Sequence, residues 1–405
     1  MIRFRYIIAI VLLCNLLSCE KTPKLSYIPE SQIGYNECMI SVIPTIEDFS
    51  PFDLTPYLDS VKYVKLELTD KSLIGSINKV VVFEKRIYIL DTQTRSLFVF
   101  DIDGNFIFQI DKVGQGPGEY IRLDFFDIDR ENRQIVLTDL MAYWVMRYDL
   151  DGQFLFRQKI PVWCYGVSVL PNYGIVLYGD FRNNSDKLTQ EYNLIYLDSA
   201  MNYQKGYFPY NSNDFDQRYL PALTHGGQFY MFNDYLHFSF PNGSNVYQVK
   251  GDSLINKYQF DFGKDMLPVE NAVSLKRFSE QLSKGNYNGF STTVMENEEI
   301  LFFRMKTNIA PGFVYTVFYA KESKQILSSF MFMIDQELSV PIPLTGYDSW
   351  IVSEVQSFSL VEWRENFPKE KISSAHRFTK ERMEFSKSLT ENDNPVLMFM
   401  KLKPF

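Results

Sequence analysis

Apolar and polar positions alternate over short runs along much of the chain, and the runs recur. Ile87-Tyr-Ile-Leu-Asp91 is matched by Ile135-Val-Leu-Thr-Asp139, and Phe100-Asp-Ile-Asp-Gly-Asn-Phe-Ile-Phe108 by Tyr148-Asp-Leu-Asp-Gly-Gln-Phe-Leu-Phe156, both at an offset of 48 residues. Such alternation is the signature of a half-buried strand. Asp-Gly between two alternating runs predicts a tight hairpin whose two central residues both take positive φ. With an earlier run in each unit, Lys79-Val-Val-Val-Phe83 and Phe126-Asp-Ile-Asp129, one period holds four strands. Four antiparallel strands at this spacing predict the blade of a β-propeller.

Later copies are weaker. Ile195-Tyr-Leu-Asp-Ser-Ala-Met-Asn-Tyr203 keeps the aromatic residue and the aspartate without Asp-Gly; the run 246–254 keeps a hairpin with Lys-Gly-Asp as its turn; the run 317–326 fits a fifth. Runs 350–355 and 360–363 read as strands of a sixth. One segment has helical spacing, 269–282, with Ala272, Leu275 and Phe278 on one face, and reads as an insertion between the fourth and fifth blades. The charged stretch 368–387 reads as a solvated loop or short helix late in the last blade. Six blades over residues 61–405 allow roughly 58 residues each, generous beside the usual ~40–50. The expected fold is therefore all-β, a six-bladed β-propeller of four-stranded antiparallel blades, with seven blades as the alternative. Val61–Glu67 and Pro395–Lys403 are alternating strands at opposite ends of the chain. They are expected to share one blade, which closes the ring and leaves no open edge.

Between the first two units lies Val113-Gly-Gln-Gly-Pro-Gly-Glu-Tyr120. A phosphate loop requires Gly-Lys-Ser/Thr opening a helix, and a dinucleotide fingerprint belongs in a βαβ unit. This loop instead joins two predicted strands. Its expected role is architectural: the glycines permit positive φ, Pro117 stiffens the crossing, and Glu119 accepts hydrogen bonds from otherwise unpaired N–H groups. Ligand contact by Glu119 or Tyr120 at a channel mouth is the alternative.

Residues 1–18 stand apart from this pattern. Arg3 and Arg5 precede an apolar run ending at Leu17, too brief for a comfortable membrane span. The run closes in Leu16-Leu17-Ser18-Cys19, which resembles a bacterial lipobox. That resemblance implies cleavage before Cys19, acylation of Cys19 and anchoring without a transmembrane helix; an ordinary secretory signal with an incidental Cys19 is the alternative. The expected organisation is a lipoprotein signal peptide (1–18), an N-terminal tether and lead-in (19–56) and the propeller (57–405). Removing the two arginines takes the net charge from −8 to −10. An acidic chain with scattered basic residues argues against nucleic acid as a partner. Cys38 and Cys164 remain in the mature chain, either paired in an oxidising compartment or as two separate core thiols.

Candidate chemistry is sparse. His225, His237 and His376 are the three histidines and show no zinc-ligand spacing; His225 and His237 straddle a predicted hairpin and either face each other or serve structurally. Asp101, Asp103, Asp149 and Asp151 recur at turns, but Asp-x-Asp-Gly lacks the further ligands of a calcium loop. No cofactor is expected. No Gly-x-Ser-x-Gly occurs, and carboxylate pairs on different blades are invisible to spacing. Trp144, Trp163, Trp350 and Trp363 suit either a sugar-stacking platform or blade packing.

The lipobox, the Asp-x-Asp-Gly hairpins, Gly-Gln-Gly-Pro-Gly-Glu-Tyr and the terminal Asp393-Asn-Pro-Val-Leu397…Lys401-Leu-Lys403 together resemble the bacterial six-bladed β-propeller lipoproteins, relatives of NHL-repeat propellers, over most of the mature chain. The resemblance implies the fold and a cell-envelope location at the outer membrane, on its periplasmic or its external face. It implies no activity at named positions. The expected function is a non-enzymatic binding or scaffold module, tethered to the membrane by its lipid and presenting loops to an envelope protein or a glycan. A hydrolase or lyase working in the central channel is the alternative, because fold does not decide activity.

Overall fold

Each 48-residue unit forms one antiparallel meander. The computed structural model describes residues 33–35, 39–43, 50–172, 174–214, 229–250, 253–263, 265–267, 284, 287–291, 294–308 and 313–405. The first sheet comprises Lys79–Phe83, Arg86–Asp91, Ser96–Asp101 and Phe106–Ile110. The second comprises Phe125–Asp129, Gln134–Asp139, Trp144–Asp149 and Phe154–Lys159. The repeated aspartate closes the outer hairpin: Asp101 Oδ1 accepts the N–H groups of Asp103 and Asn105, both at 2.9 Å, and Asp149 Oδ1 those of Asp151 and Gln153 at 3.0 and 2.8 Å. Asp198 does the same for Ala200 and Asn202 without any glycine. Positive φ falls on one residue per turn, Gly104 (94°), Gly152 (81°) and Met201 (64°). The expected turn with two positive-φ residues is thus corrected to a longer, carboxylate-closed turn with one.

The third sheet is Gly166–Val169, Ile175–Tyr178, Glu191–Leu197 and Tyr203–Tyr210. The fourth is Phe229–Phe232, Tyr235–Ser239, Asn245–Lys250 and Ser253–Asp261. The fifth places Gly289–Phe290 and Met295–Glu296 inside Ile300–Lys306, Val314–Ala320 and Ile326–Ser329. The closing sheet runs Pro343–Tyr347, Trp350–Val355, Val396–Leu402, Leu58–Lys65. Its last two strands come from opposite ends of the chain, with Val396 opposite Lys65 and Met400 opposite Val61. The shared closing sheet expected from the alternation is therefore present.

Among the described residues the strands form seven sheets, the alternative count rather than six. The seventh has three short strands, Phe52–Asp53, Phe332–Ile334 and Leu338–Ser339. It packs into the core between the fifth and closing sheets. Hairpin counting missed it because Phe52–Asp53 pairs in parallel with a strand some 280 residues later. The lead-in contributes more: Ile33–Tyr35 and Met39–Ser41 add in parallel to the long outer strand of the fourth sheet, covering part of its edge.

One further correction concerns a helix: residues 360–363, expected as strand, lie in helix α1 (Ser357–Asn366). The charged stretch, expected as a loop or short helix, holds helix α2 (Arg377–Ser386). In α1, Ser357-Phe-Ser-Leu360 alternates polar and apolar and imitates a strand, but the buried Ser357, Leu360 and Val361 stand at i, i+3 and i+4, the spacing of one helix face. The predicted helix 269–282 lies outside the described residues. The core is a ring of apolar clusters, each between neighbouring sheets. Val136, Val167 and Leu177, for example, join the second and third sheets, and Phe260, Phe303 and Val317 join the fourth and fifth. This aromatic-rich packing fixes where the inner strands converge.

Candidate functional site

The inner strands enclose a central cavity of about 780 Å³. Val82, Asp127, Ser168, Tyr230, Glu296 and Thr345, one from each sheet except the three-stranded one, share its wall. A second cavity of about 370 Å³ lies among the turns near Pro171 and Tyr235, and Arg130 and Met231 border both.

Three carboxylates face the central cavity, and each is tied to neighbours. Asp127 accepts from its own neighbour's N–H (Ile128, 2.9 Å), from the Ser168 hydroxyl and from the Val169 N–H (3.3 Å), with the Lys79 ammonium 4.0 Å away. It thus joins the first three sheets. Asp124 meets Arg122 Nε at 2.6 Å and the Leu140 N–H at 2.8 Å; burial raises its pKa despite the arginine.

Glu296 is the most enclosed of the three, with a side chain wholly removed from solvent. Its Oε1 meets Lys257 Nζ at 2.7 Å and the Tyr230 hydroxyl at 3.1 Å; its Oε2 meets Lys321 Nζ at 2.5 Å and the Tyr258 hydroxyl at 3.1 Å. Burial alone would raise this carboxyl's pKa, but Lys321 and Lys257 outweigh it and hold the group below its ordinary range. His237 lies 3.5 Å from the same carboxylate, yet burial, reinforced by Lys257, pushes its pKa down to about 3. It is therefore a neutral imidazole, donating from Nδ1 to the Tyr235 carbonyl (3.0 Å) and accepting from Lys257 at Nε2 (3.0 Å). Its ring stacks on Tyr230 at 4.7 Å. The cluster bolts the fourth sheet to the fifth.

At the rim, Trp163 borders the cavity in the crossing between the second and third sheets. The buried Asn184 side chain accepts from the Trp163 N–H (2.8 Å) and donates to its carbonyl (2.9 Å), while the Arg182 guanidinium sits 4.5 Å over the indole. Arg182 Nε in turn meets Asp180 at 3.3 Å. Asp180 is fully buried, and that burial pushes its pKa up to about 7. Asp180 and Phe181 both adopt positive φ, 51° and 52°, so the loop presenting Arg182 is a tightly wound one.

Glu119 and Tyr120 occupy the glycine-rich crossing, where both serve the loop. Glu119 Oε2 accepts from the Gly116 N–H at 2.7 Å. Tyr120 is buried, its hydroxyl placed 2.8 Å from the Arg95 carbonyl and 3.0 Å from that of Ile110, and burial pushes its pKa up to about 12. The Tyr148 hydroxyl donates to the Gly118 carbonyl and Arg157 to that of Gly116. The loop thus braces the first sheet against the second.

Of the other candidates, Cys19, Cys38 and His225 lie outside the described residues. Cys164 is a buried thiol whose pKa burial raises. His376 caps helix α2. Trp144 lies beneath Arg157 and Lys159, Trp363 beneath Arg382, and Trp350 against Phe399; Trp163 alone of the four borders the central cavity. No group of three or more metal-ligating side chains occurs among the described residues. The Glu296 cluster has no sequence signature, because its partners are spread from Tyr230 to Lys321 and converge only when two sheets pack.

Residues 39–401 match the family model described as "Domain of unknown function (DUF4934)". The structure is similar to that of a Bacteroides fragilis protein described as exported, at 20% identity and TM-score 0.68, with 90% of this chain and 99% of that one covered. Looser likenesses are to a duf4221 family member from Bacteroides vulgatus (10% identity, TM-score 0.44, 85% and 97% covered) and to virginiamycin B lyase from Staphylococcus aureus (13% identity, TM-score 0.35, 72% and 81% covered). The first bears on fold alone. No curated protein matches the chain.

Proposed function

The chain belongs to the DUF4934 family, and from that premise we propose that it is a membrane-tethered module of the bacterial cell envelope that binds a protein or glycan partner without transforming it. The observation that carries this reading is the central cavity. Its size falls within the ~300–1,000 Å³ of small-ligand sites, while Asp124, Asp127 and Glu296 each already hold fixed partners. A wall of mutually satisfied charges suits holding a ligand in a rigid frame better than moving protons.

The tether is Cys19, acylated after removal of residues 1–18, and the location is the outer membrane. The lipobox supports this, and an exported protein of the same fold is in keeping with it. Glu119 and Tyr120 serve the crossing loop and stand outside the ligand site. Metabolic labelling with a fatty-acid analogue tests the anchor: label on the native chain and its loss in Cys19→Ala are expected, and label persisting in the variant would disprove it. Protease shaving of intact cells distinguishes the two membrane faces. Pull-down from native membranes tests the binding role, and robust turnover of a glycan or lactone by the purified protein would overturn it.

A further inference from the structure

We propose that Trp163 forms the stacking floor of a subsite for one ring of a neutral carbohydrate at the rim of the central cavity. This inference rests on the binding reading above and names the class of ligand.

Trp163 is built into place rather than loosely exposed. Its backbone is held on both sides by Asn184, a side chain only 1% exposed. Its indole is backed at 4.5 Å by Arg182, which is itself anchored on the fully buried Asp180. An indole with one face supported and its body on a cavity wall offers a rigid apolar plane at little entropic cost. Tyr165, two residues on, borders the same cavity, and Phe125 meets its ring edge-on at 5.9 Å. Val162 and Cys164, which alternate with these two aromatics, are buried in the core between the second and third sheets.

Polar groups border the same cavity. Asn78 and Thr92 border the cavity and are linked through Asn78 Oδ1, which leaves the Asn78 amide N–H groups without a partner among the described residues. The Arg122–Asp124 pair borders it too, with Arg122 half exposed. A planar apolar floor in one cavity with an amide donor, a hydroxyl and a guanidinium–carboxylate pair matches a sugar ring, which has an apolar C–H face and a rim of hydroxyls that both donate and accept.

Charge selects among sugars. Three cations border the cavity (Lys79, Arg122 and Arg130) and so do three carboxylates (Asp124, Asp127 and Glu296). Asp124 is paired with Arg122, Asp127 lies beside Lys79 and Glu296 holds Lys257 and Lys321. A charged ring would have to break into one of these pairs, at the cost of leaving a desolvated charge unpaired. A neutral ring bears no such penalty.

The test is tryptophan emission and calorimetry of the full chain in detergent, titrated with neutral hexasaccharides (malto-, cello-, manno-, xylo- and galacto-series) and with oligogalacturonate as the acidic probe. At least one neutral series should saturate with a shift in emission. Trp163→Ala should weaken it at least tenfold, Trp163→Phe less, and Trp350→Phe should leave it unchanged. Arg122→Ala, on the exposed rim, should weaken it as well when titrated below its own melting midpoint, so the subsite is tested by a second variant even if Trp163→Ala folds poorly. Failure of every neutral series, unchanged binding in both Trp163→Ala and Arg122→Ala, or preference for oligogalacturonate would overturn the inference. A protein partner still captured from membranes by Trp163→Ala while no sugar binds would remove this subsite and leave the binding module standing.

Discussion

Asp180 carries an unusual load for a single side chain: it is fully buried, sits at positive φ, and has a pKa raised by burial from 3.8 to about 7. Between those two values the folded chain keeps a proton that the unfolded chain has released, so stability falls as pH rises through that window. Above pH 7 the cost is fully present, about 4 kcal/mol as an upper figure at ~1.4 kcal/mol per pH unit. Asn fits the same backbone conformation and carries no charge. Asp180→Asn should therefore melt higher than the parent at pH 8 and equally at pH 4; an equal loss at both values would refute the assignment. Glu296 poses the opposite case, since it is ionised and needs its lysines. Removing one partner of a buried ion pair typically costs about 3–5 kcal/mol, so Glu296→Gln should lower the unfolding free energy extrapolated from urea curves by an amount of that order. Adding Lys321→Met should recover part of the loss, whereas additive losses would show that Lys321 and Glu296 act independently.

At the scale of elements, the glycine-rich crossing explains why its glycines are not interchangeable. Gly118 has φ +72°, and a Cβ there would stand 2.6 Å from Cγ of Phe154. A Cβ on Gly116 would meet only the carboxylate end of Glu119, at 3.0 Å, which can swing aside. Gly118→Ala should cost about 2–4 kcal/mol from the left-handed backbone and the clash together, and Gly116→Ala clearly less, as measured by urea unfolding; equal costs would refute the crossing geometry. This loop, the Asp-closed hairpins and the four-strand meander were legible because each is written within one 48-residue period. Helix α1 was not, since its buried face rests on Leu360 and Val361 within a strand-like alternation. The three-stranded sheet was not either, because Phe52 pairs with Phe332. The rim site was half legible: Trp163 was one candidate among four tryptophans, but the Asn184 and Arg182 that fix it arrive from a separate loop. Glu296 stands in a run of acids, Glu296-Asn-Glu-Glu299, and only its inner-strand position distinguishes it.

For the whole molecule, closure depends on the last strand. Val396–Leu402 lies between Trp350–Val355 and Leu58–Lys65 and hydrogen-bonds to both. Its side chains alternate between two cores: Val396, Met398, Met400 and Leu402 face the cluster shared with the fifth sheet, while Leu397 and Phe399 face the first sheet. Burial of a large apolar side chain contributes ~1.5–3 kcal/mol, so six of them amount to about 9–18 kcal/mol. Whole domains are stable by only ~5–15 kcal/mol. Losing this strand therefore removes as much as the ring has, and it also leaves Leu58–Lys65 without a hydrogen-bonded neighbour in its sheet. A chain ending at Asn394 should give no sigmoidal urea transition, and a synthetic peptide of residues 395–405 supplied in excess should restore one. Cooperative unfolding of the truncated chain near the parent midpoint would show instead that the remaining sheets hold the ring without the clasp.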